Sequence, residues 1–245
     1  MSTVSTPDAE MQAVLDKLAS LGGKPIETLT AAEARLQPTP TDAVKKLMAE
    51  RALPTAPADA ATSVDRSIPG PGGALPLRIY TPRGSKGKMP VVVYFHGGGW
   101  VIADKEVYDG GARALSGLAD AIVISVDYRR GPEHPFPAAH DDALATYAWA
   151  VANAATLHGD PARIAIAGES AGGNLAVATA MAARDQGMAM PLAIVSVYPI
   201  AGNNLNTASY VEQAHAKPLN RAMMEWFFRL AVASPRASRP NCGRT

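Results

Sequence analysis

The chain has 245 residues, with 23 Lys and Arg against 22 Asp and Glu and a hydrophobic share of 47%. A formal charge of +1 gives no electrostatic reason to expect a nucleic-acid or anionic-membrane partner. Gly and Pro at ordinary abundance exclude collagen-like and low-complexity chains, and the length suits one α/β domain or a domain with a small accessory lobe.

Met1–Asp8 lacks the basic and apolar regions of a secretory signal, and no apolar run reaches the length of a membrane span. The single cysteine, Cys242, cannot form a disulfide within the chain, so a cytoplasmic protein is expected. Three short amphipathic helices are expected first. Thr6 caps one, with Pro7 at the first helical position, Met11, Val14, Leu15 and Leu18 on one face, and Gly22-Gly23 at the end. Thr30 and Glu33 have capping-box spacing for the second. Thr41 is expected to cap the third, whose Val44, Leu47 and Met48 share a face. A Pro/Ala linker then runs from Pro54 to Ala61.

Beyond the linker β-branched runs alternate with helical stretches, which implies a parallel sheet. Leu77–Tyr80 reads as an early strand; Val91–Phe95, Ala121–Val126, Ile164–Ala167 and Leu192–Val197 are apolar on both faces and read as buried central strands. Helices over Val107–Asp120, Ala138–Ala155 and Ala171–Gln186 would supply the crossovers. From Pro235 to Thr245 the composition breaks: three arginines, two prolines and no acid, the signature of a disordered end.

Two motifs carry chemistry. His96-Gly97-Gly98-Gly99-Trp100 directly follows the Val91–Phe95 strand, where successive glycines let a ligand approach backbone N–H groups. Gly168-Glu169-Ser170-Ala171-Gly172 stands between a strand and an Ala-rich helix, the strand–turn–helix setting of a Gly-x-Ser-x-Gly nucleophile turn. A lone pentapeptide of this kind is common. Both motifs at the ends of strands of one sheet are a specific combination.

On these motifs, with Asp127–Ala139, Asp160–Ile164 and Tyr198-Pro199, the sequence resembles the hormone-sensitive lipase family of α/β-hydrolases. The resemblance implies an α/β-hydrolase fold, with a mostly parallel central sheet, helices on both faces and a helical cap. It implies hydrolysis of short- to medium-chain acyl esters with no metal and no cofactor. Residues 1–53 would form one cap segment, 62–200 the core, 201–232 a second cap segment around Lys217–Leu230, and 233–245 a tail foreign to the fold. Ser170 is similar to the family nucleophile, and Gly98, Gly99 and Ala171, with Gly97 as a further candidate, to the oxyanion donors. Glu169 resembles an acid that one subgroup carries beside the nucleophile, but its plainer reading is a locally hydrogen-bonded elbow carboxylate. His96 and His134 read as loop braces, and Asp127, Glu133, Asp141 and Asp142 as pairing or capping groups.

In this fold the chain order is Ser, acid, then His. The sole histidine after Ser170 is His215, in a setting unlike the family's His-Gly-Phe ending, and it reads as an exposed cap residue. The family's last two strand–helix units have no counterpart in the sequence, so a C-terminally truncated copy, produced most simply by a frameshift, is expected. Three outcomes stay open: an esterase impaired by loss of its triad Asp and His, a non-catalytic small-molecule binder like the plant hormone receptor of the same family, and a non-functional fragment. The expected partners are a small-molecule ester and a second copy through an exposed sheet edge at Leu192–Val197.

Overall fold

The computed structural model describes residues 6–53 and 60–232. Its strands are β1 (Ala61–Gly70), β2 (Gly73–Pro82), β3 (Met89–Phe95), β4 (Ile122–Val126), β5 (Gly159–Glu169) and β6 (Ala193–Val197). They form one sheet in the order β1-β2-β4-β3-β5-β6. β4, β3, β5 and β6 are mutually parallel, whereas β1 and β2 form an antiparallel hairpin that joins β4 antiparallel. The Leu77–Tyr80 strand is therefore real, but it does not run parallel to the others.

Alternation along β3 shows why its composition is apolar throughout. Val91, Val93 and Phe95 point to a core shared with α5 (Ala138–Asn153) and α6 (Ala171–Asp185), where Tyr147, Ala150, Leu175 and Ala176 are buried. Val92 and Tyr94 point to the opposite face, against Ala112 and Leu115 of α4 (Asp109–Ala119). Helices on both faces bury both sides of the strand, so its sequence lacks the polar alternation of a half-exposed sheet. The three crossover helices lie within a few residues of their expected bounds.

Several expectations need correction. The first helix, α1 (Ala9–Ser20), is capped by Asp8, whose side chain accepts from the Met11 N–H at 2.8 Å, and not by Thr6. It buries no residue: Met11 is half exposed, and α1 is tied by the Lys17–Glu50 ion pair to the end of the helix that starts at Pro40. The capping box of α2 (Ala31–Ala34) forms as expected between Thr30 and Glu33. A second box starts α3 (Pro40–Glu50) at Thr39 and Asp42, with Pro40 in the first turn. Thr41 instead donates to the Val107 carbonyl, tying α3 to the loop before α4.

β1 occupies residues expected to follow directly on a linker. Its pattern is polar and mostly exposed, so it carries no hydrophobic signal; full-length pairing with β2 defines it. β6 is not the buried central strand that its composition suggested. Its one described neighbour is β5, and Leu192, Val195 and Tyr198 are 72%, 53% and 70% exposed. The sequence therefore has an apolar edge in Leu192–Tyr198, with no charge and no internal proline to blunt it. The Pro54–Ala61 linker lies largely, and the Pro235–Thr245 tail with Cys242 wholly, outside the described residues.

Two short helices, α7 (Ala208–Glu212) and α8 (Arg221–Ala231), end the described chain. Met224, Trp226 and Phe227 of α8 bury against Ala31 and Ala34 of α2, against Ala171 at the start of α6, and against Val101 and Ile200 of the sheet's loops. The Trp226 indole N–H donates to the Leu29 carbonyl at 3.0 Å. Arg35 fastens the same layer: it donates to the carbonyls of Val101 and Gly131 and pairs with both Glu133 oxygens. Hydrogen bonding by Arg35 pulls the Glu133 carboxyl down to about 2. Regions far apart in sequence thus meet above the loops that follow β3 and β5.

Candidate active site

Ser170 stands between the end of β5 and the start of α6 with φ 55° and ψ −117°, a conformation that a non-glycine residue adopts only under constraint. The constraint is visible. Its N–H donates to the Val197 carbonyl at 2.9 Å, and its carbonyl accepts from Asn174 and Ile200 at 3.1 and 3.3 Å. A Cβ on Gly172 would overlap the Phe95 carbonyl oxygen and stand 2.6 Å from that of His96; one on Gly168 would overlap the Gly172 carbonyl oxygen. The glycines flanking Ser170 are there because β3, β5 and α6 converge too closely for any side chain. Ser170 is partly exposed, and among the described residues its hydroxyl has no hydrogen-bond partner.

The glycine loop lies against this turn. The position of a Cβ on Gly97 is 3.5 Å from Ser170 Cβ and 2.8 Å from the Tyr108 hydroxyl, so only glycine leaves the two motifs in contact. Gly98 and Gly99 have φ of 107° and 60°, and the Gly98 carbonyl accepts from Val101 and Ile102, which closes the loop. Phe227 of α8 fills the space over Gly99. Among the described residues the amides of Gly98, Gly99 and Ala171 donate to no acceptor. Ala171 also opens a 15-residue helix whose N-terminal dipole favours negative charge.

His96 is fully buried beneath the loop. Its Nδ1–H donates to the Gly97 carbonyl at 2.7 Å, its ring stacks on Tyr128 at 4.3 Å, and the Tyr128 hydroxyl donates to its carbonyl at 2.8 Å. Burial lowers its pKa to about 4, so it is neutral at physiological pH. This geometry suits a brace. Asp142 is buried and accepts from both the Arg129 backbone and its guanidinium, holding the segment after β4 in place. Asp127, at the end of β4, has one buried oxygen without a partner, and burial raises its pKa. His134, Asp141 and His215 are exposed, and none hydrogen-bonds to Ser170.

Glu169 is held by two phenols: Tyr94 of β3 donates to Oε1, and Tyr198 donates to Oε2 at 3.3 Å. Tyr198 belongs to the Tyr198-Pro199 segment that carries the resemblance, whereas no sequence signal marks Tyr94 or Tyr108. Tyr94 looks like one more apolar strand residue until its alternation with Phe95 assigns it to the other face. His140 was also overlooked; its Nε2–H donates to Asn174 Oδ1 at 3.1 Å, and the Asn174 amide group donates to Ile200, linking α5 to the elbow.

A sharp serine turn at the carboxyl edge of a mostly parallel sheet, facing a glycine loop with free amides, defines an α/β hydrolase. Residues 92–243 match the family described by its alpha/beta hydrolase fold, and the chain belongs to that family. Carboxylesterase NlhH of Mycobacterium tuberculosis is 45% identical over 153 residues, covering 62% of this chain and 48% of that protein. The arylesterase of Saccharolobus solfataricus is 46% identical over 113 residues, covering 45% of this chain and 36% of its own length. The structure of a hyperthermophilic esterase from the archaeon Pyrobaculum calidifontis superposes with a TM-score of 0.82 at 34% identity, over 95% of this chain and 72% of that one. The chain spans about half the length of the NlhH relatives it matches. These relatives are esterases, in keeping with the resemblance read from the two motifs.

Proposed function

We propose that the chain carries the nucleophile and oxyanion donors of a carboxylic ester hydrolase acting on short- to medium-chain acyl esters. Ser170 Oγ attacks the ester carbonyl and its proton leaves to a base; the amides of Gly98, Gly99 and Ala171 hold the oxyanion. Collapse expels the alcohol, and water then hydrolyses the acyl-enzyme. The observation that carries this reading is the constrained Ser170 turn pressed against a loop whose amides are unengaged. The names of the relatives supply the reaction class. In this reading residues 1–53 and 201–232 form the cap and 62–200 the core.

Serine needs a base, and among the described residues no histidine hydrogen-bonds to Ser170. An oxyanion hole without the full triad retains on the order of 10³–10⁴-fold acceleration over water, so slow turnover is expected. Labelling with a neutral fluorophosphonate tests the assignment. Slow modification that disappears in Ser170→Ala supports it, and modification elsewhere in the chain contradicts it. Prompt labelling at Ser170 would show that a base is present after all.

The unpartnered hydroxyl also favours a second reading, a non-catalytic binder of small apolar ligands on the same fold. Saturable ligand binding with no labelling would select it; insoluble product would point to a non-functional fragment. No helix among the described residues is long and apolar enough to cross a membrane, and the reading places the protein in the cytoplasm. We further propose that the exposed β6 edge self-associates. Sedimentation should then depend on protein concentration, and Val195→Lys should abolish that dependence; a monomer at all concentrations overturns it.

A further inference from the structure

One segment holds the Ser170 backbone from both sides. The Ser170 N–H donates to the Val197 carbonyl at 2.9 Å, and the Ser170 carbonyl accepts from the Ile200 N–H at 3.3 Å. Val197 ends β6, which has β5 on one side and, among the described residues, no strand on the other. At Ile200 the chain has left the sheet, so its grip on Ser170 needs another anchor. Asn174 of α6 supplies one. Its side-chain amide donates to the Ile200 carbonyl at 2.8 Å, while its backbone N–H donates to the Ser170 carbonyl at 3.1 Å.

That amide serves in one orientation only. With its NH2 group turned to Ile200, Asn174 Oδ1 faces α5, where His140 meets it through Nε2 at 3.1 Å. A carbonyl oxygen can only accept, so Nε2 carries the proton, and burial keeps the ring neutral. The ring packs against Phe136, edge-on at 5.0 Å, and against Trp100 at 6.3 Å, the residue that directly follows Gly99. His140 therefore meets both halves of the site, the serine turn through Asn174 and the glycine loop through Trp100. We propose that His140 is a positioning residue for Ser170, holding Asn174 in the orientation that locks Ile200 against the serine carbonyl. The catalytic consequence rests on the hydrolase reading; the clamp itself does not. Without the His140 N–H the Asn174 amide is free to rotate and Ile200 loses its anchor. Ser170 Oγ then spends less time aimed at an ester held by the oxyanion donors, which slows reaction without weakening binding.

The test is fluorophosphonate labelling of the whole chain, with hydrogen exchange and thermal melting measured in parallel. His140→Phe keeps a ring against Trp100 and removes the N–H. It should lower the maximal labelling rate of Ser170 by about fivefold or more, with the half-saturating reagent concentration unchanged. Exchange of the Ile200 N–H should quicken about tenfold while the amides of β3 stay protected. His140→Gln, whose side-chain amide can donate to Asn174 Oδ1, should restore most of both. Asn174→Ala should show the same local losses, and with His140→Gln it decides the matter if His140→Phe does not fold. Unchanged labelling and exchange, no rescue by glutamine, or exchange that quickens across the whole sheet together with a lower melting temperature overturns the proposal. The hydrolase reading fails separately: faster Ile200 exchange in a chain whose Ser170 never labels keeps the clamp and loses the esterase, and labelling that no His140 variant alters does the reverse.

Discussion

Gly172→Ala is expected to leave no folded protein, whereas Gly110→Ala, also a helical Gly→Ala change, should raise stability by about 0.5–1 kcal/mol through the better helix propensity of alanine. The contrast comes from what each added methyl group meets. At Gly110 there is nothing within 4 Å. At Gly172 the methyl would coincide with the Phe95 carbonyl oxygen and crowd that of His96. Both obstacles are backbone atoms at the end of the central strand β3, which has paired strands on both sides and cannot retreat. Relief would require α6 to lift off the sheet, unpacking Leu175 and Ala176 from the buried core and releasing the Ser170 turn. The loss should exceed about 4–5 kcal/mol, the range reserved for gross steric or core defects, and a comparable share of a typical domain's stability. Circular dichroism and urea denaturation of the two variants check this; a cooperative Gly172→Ala transition near the wild-type midpoint would refute the steric account.

What could be read from the sequence follows from what each signal encodes. The central strands and crossover helices were legible because burial on both faces leaves a continuous apolar run, and the elbow because its glycines answer a local steric demand. β1 was not legible, since Thr62 to Ser67 are exposed and the strand exists through its pairing with β2. The helix caps at Thr39 and Asp8 were displaced by two residues because several neighbouring side chains have equivalent capping chemistry, and only backbone geometry selects one. β6 reads as a buried central strand from its composition and as an exposed edge from the resemblance; the edge is what is observed, because hydrophobicity records what a strand can bury and not whether a neighbour lies there. At the site, Ser170 and the glycine loop are marked by motifs, while the phenols that hold Glu169, Tyr94 and Tyr198, come from separate segments, and no local spacing shows that they meet there.

His96 leads to the second large effect, a loss of stability in mild acid. Folded, it is a buried neutral ring with a pKa of about 4; unfolded, it titrates near its ordinary 6.5. Between those values the unfolded chain binds the extra proton, so stability rises with pH across this window and is lost as pH falls from 6.5 towards 4. At 1.36 kcal/mol per pKa unit the change is about 3 kcal/mol, and it saturates below the folded pKa. His140, whose pKa burial also lowers, acts in the same direction. Glu133, with its carboxyl pulled down to about 2, contributes stability that is lost only at more acid pH, as it falls below the ordinary carboxylate range. Subtraction isolates His96. His96→Asn keeps an N–H for the Gly97 carbonyl and cannot titrate, so its urea midpoint should fall less steeply than the wild type's between pH 6.5 and pH 4. Parallel profiles for the two proteins would mean that His96 is not buried neutral. The same proton would place a positive charge under the glycine loop, where among the described residues no carboxylate lies within ion-pair distance, so the loop beside Ser170 should lose hydrogen-exchange protection before the rest of the sheet does.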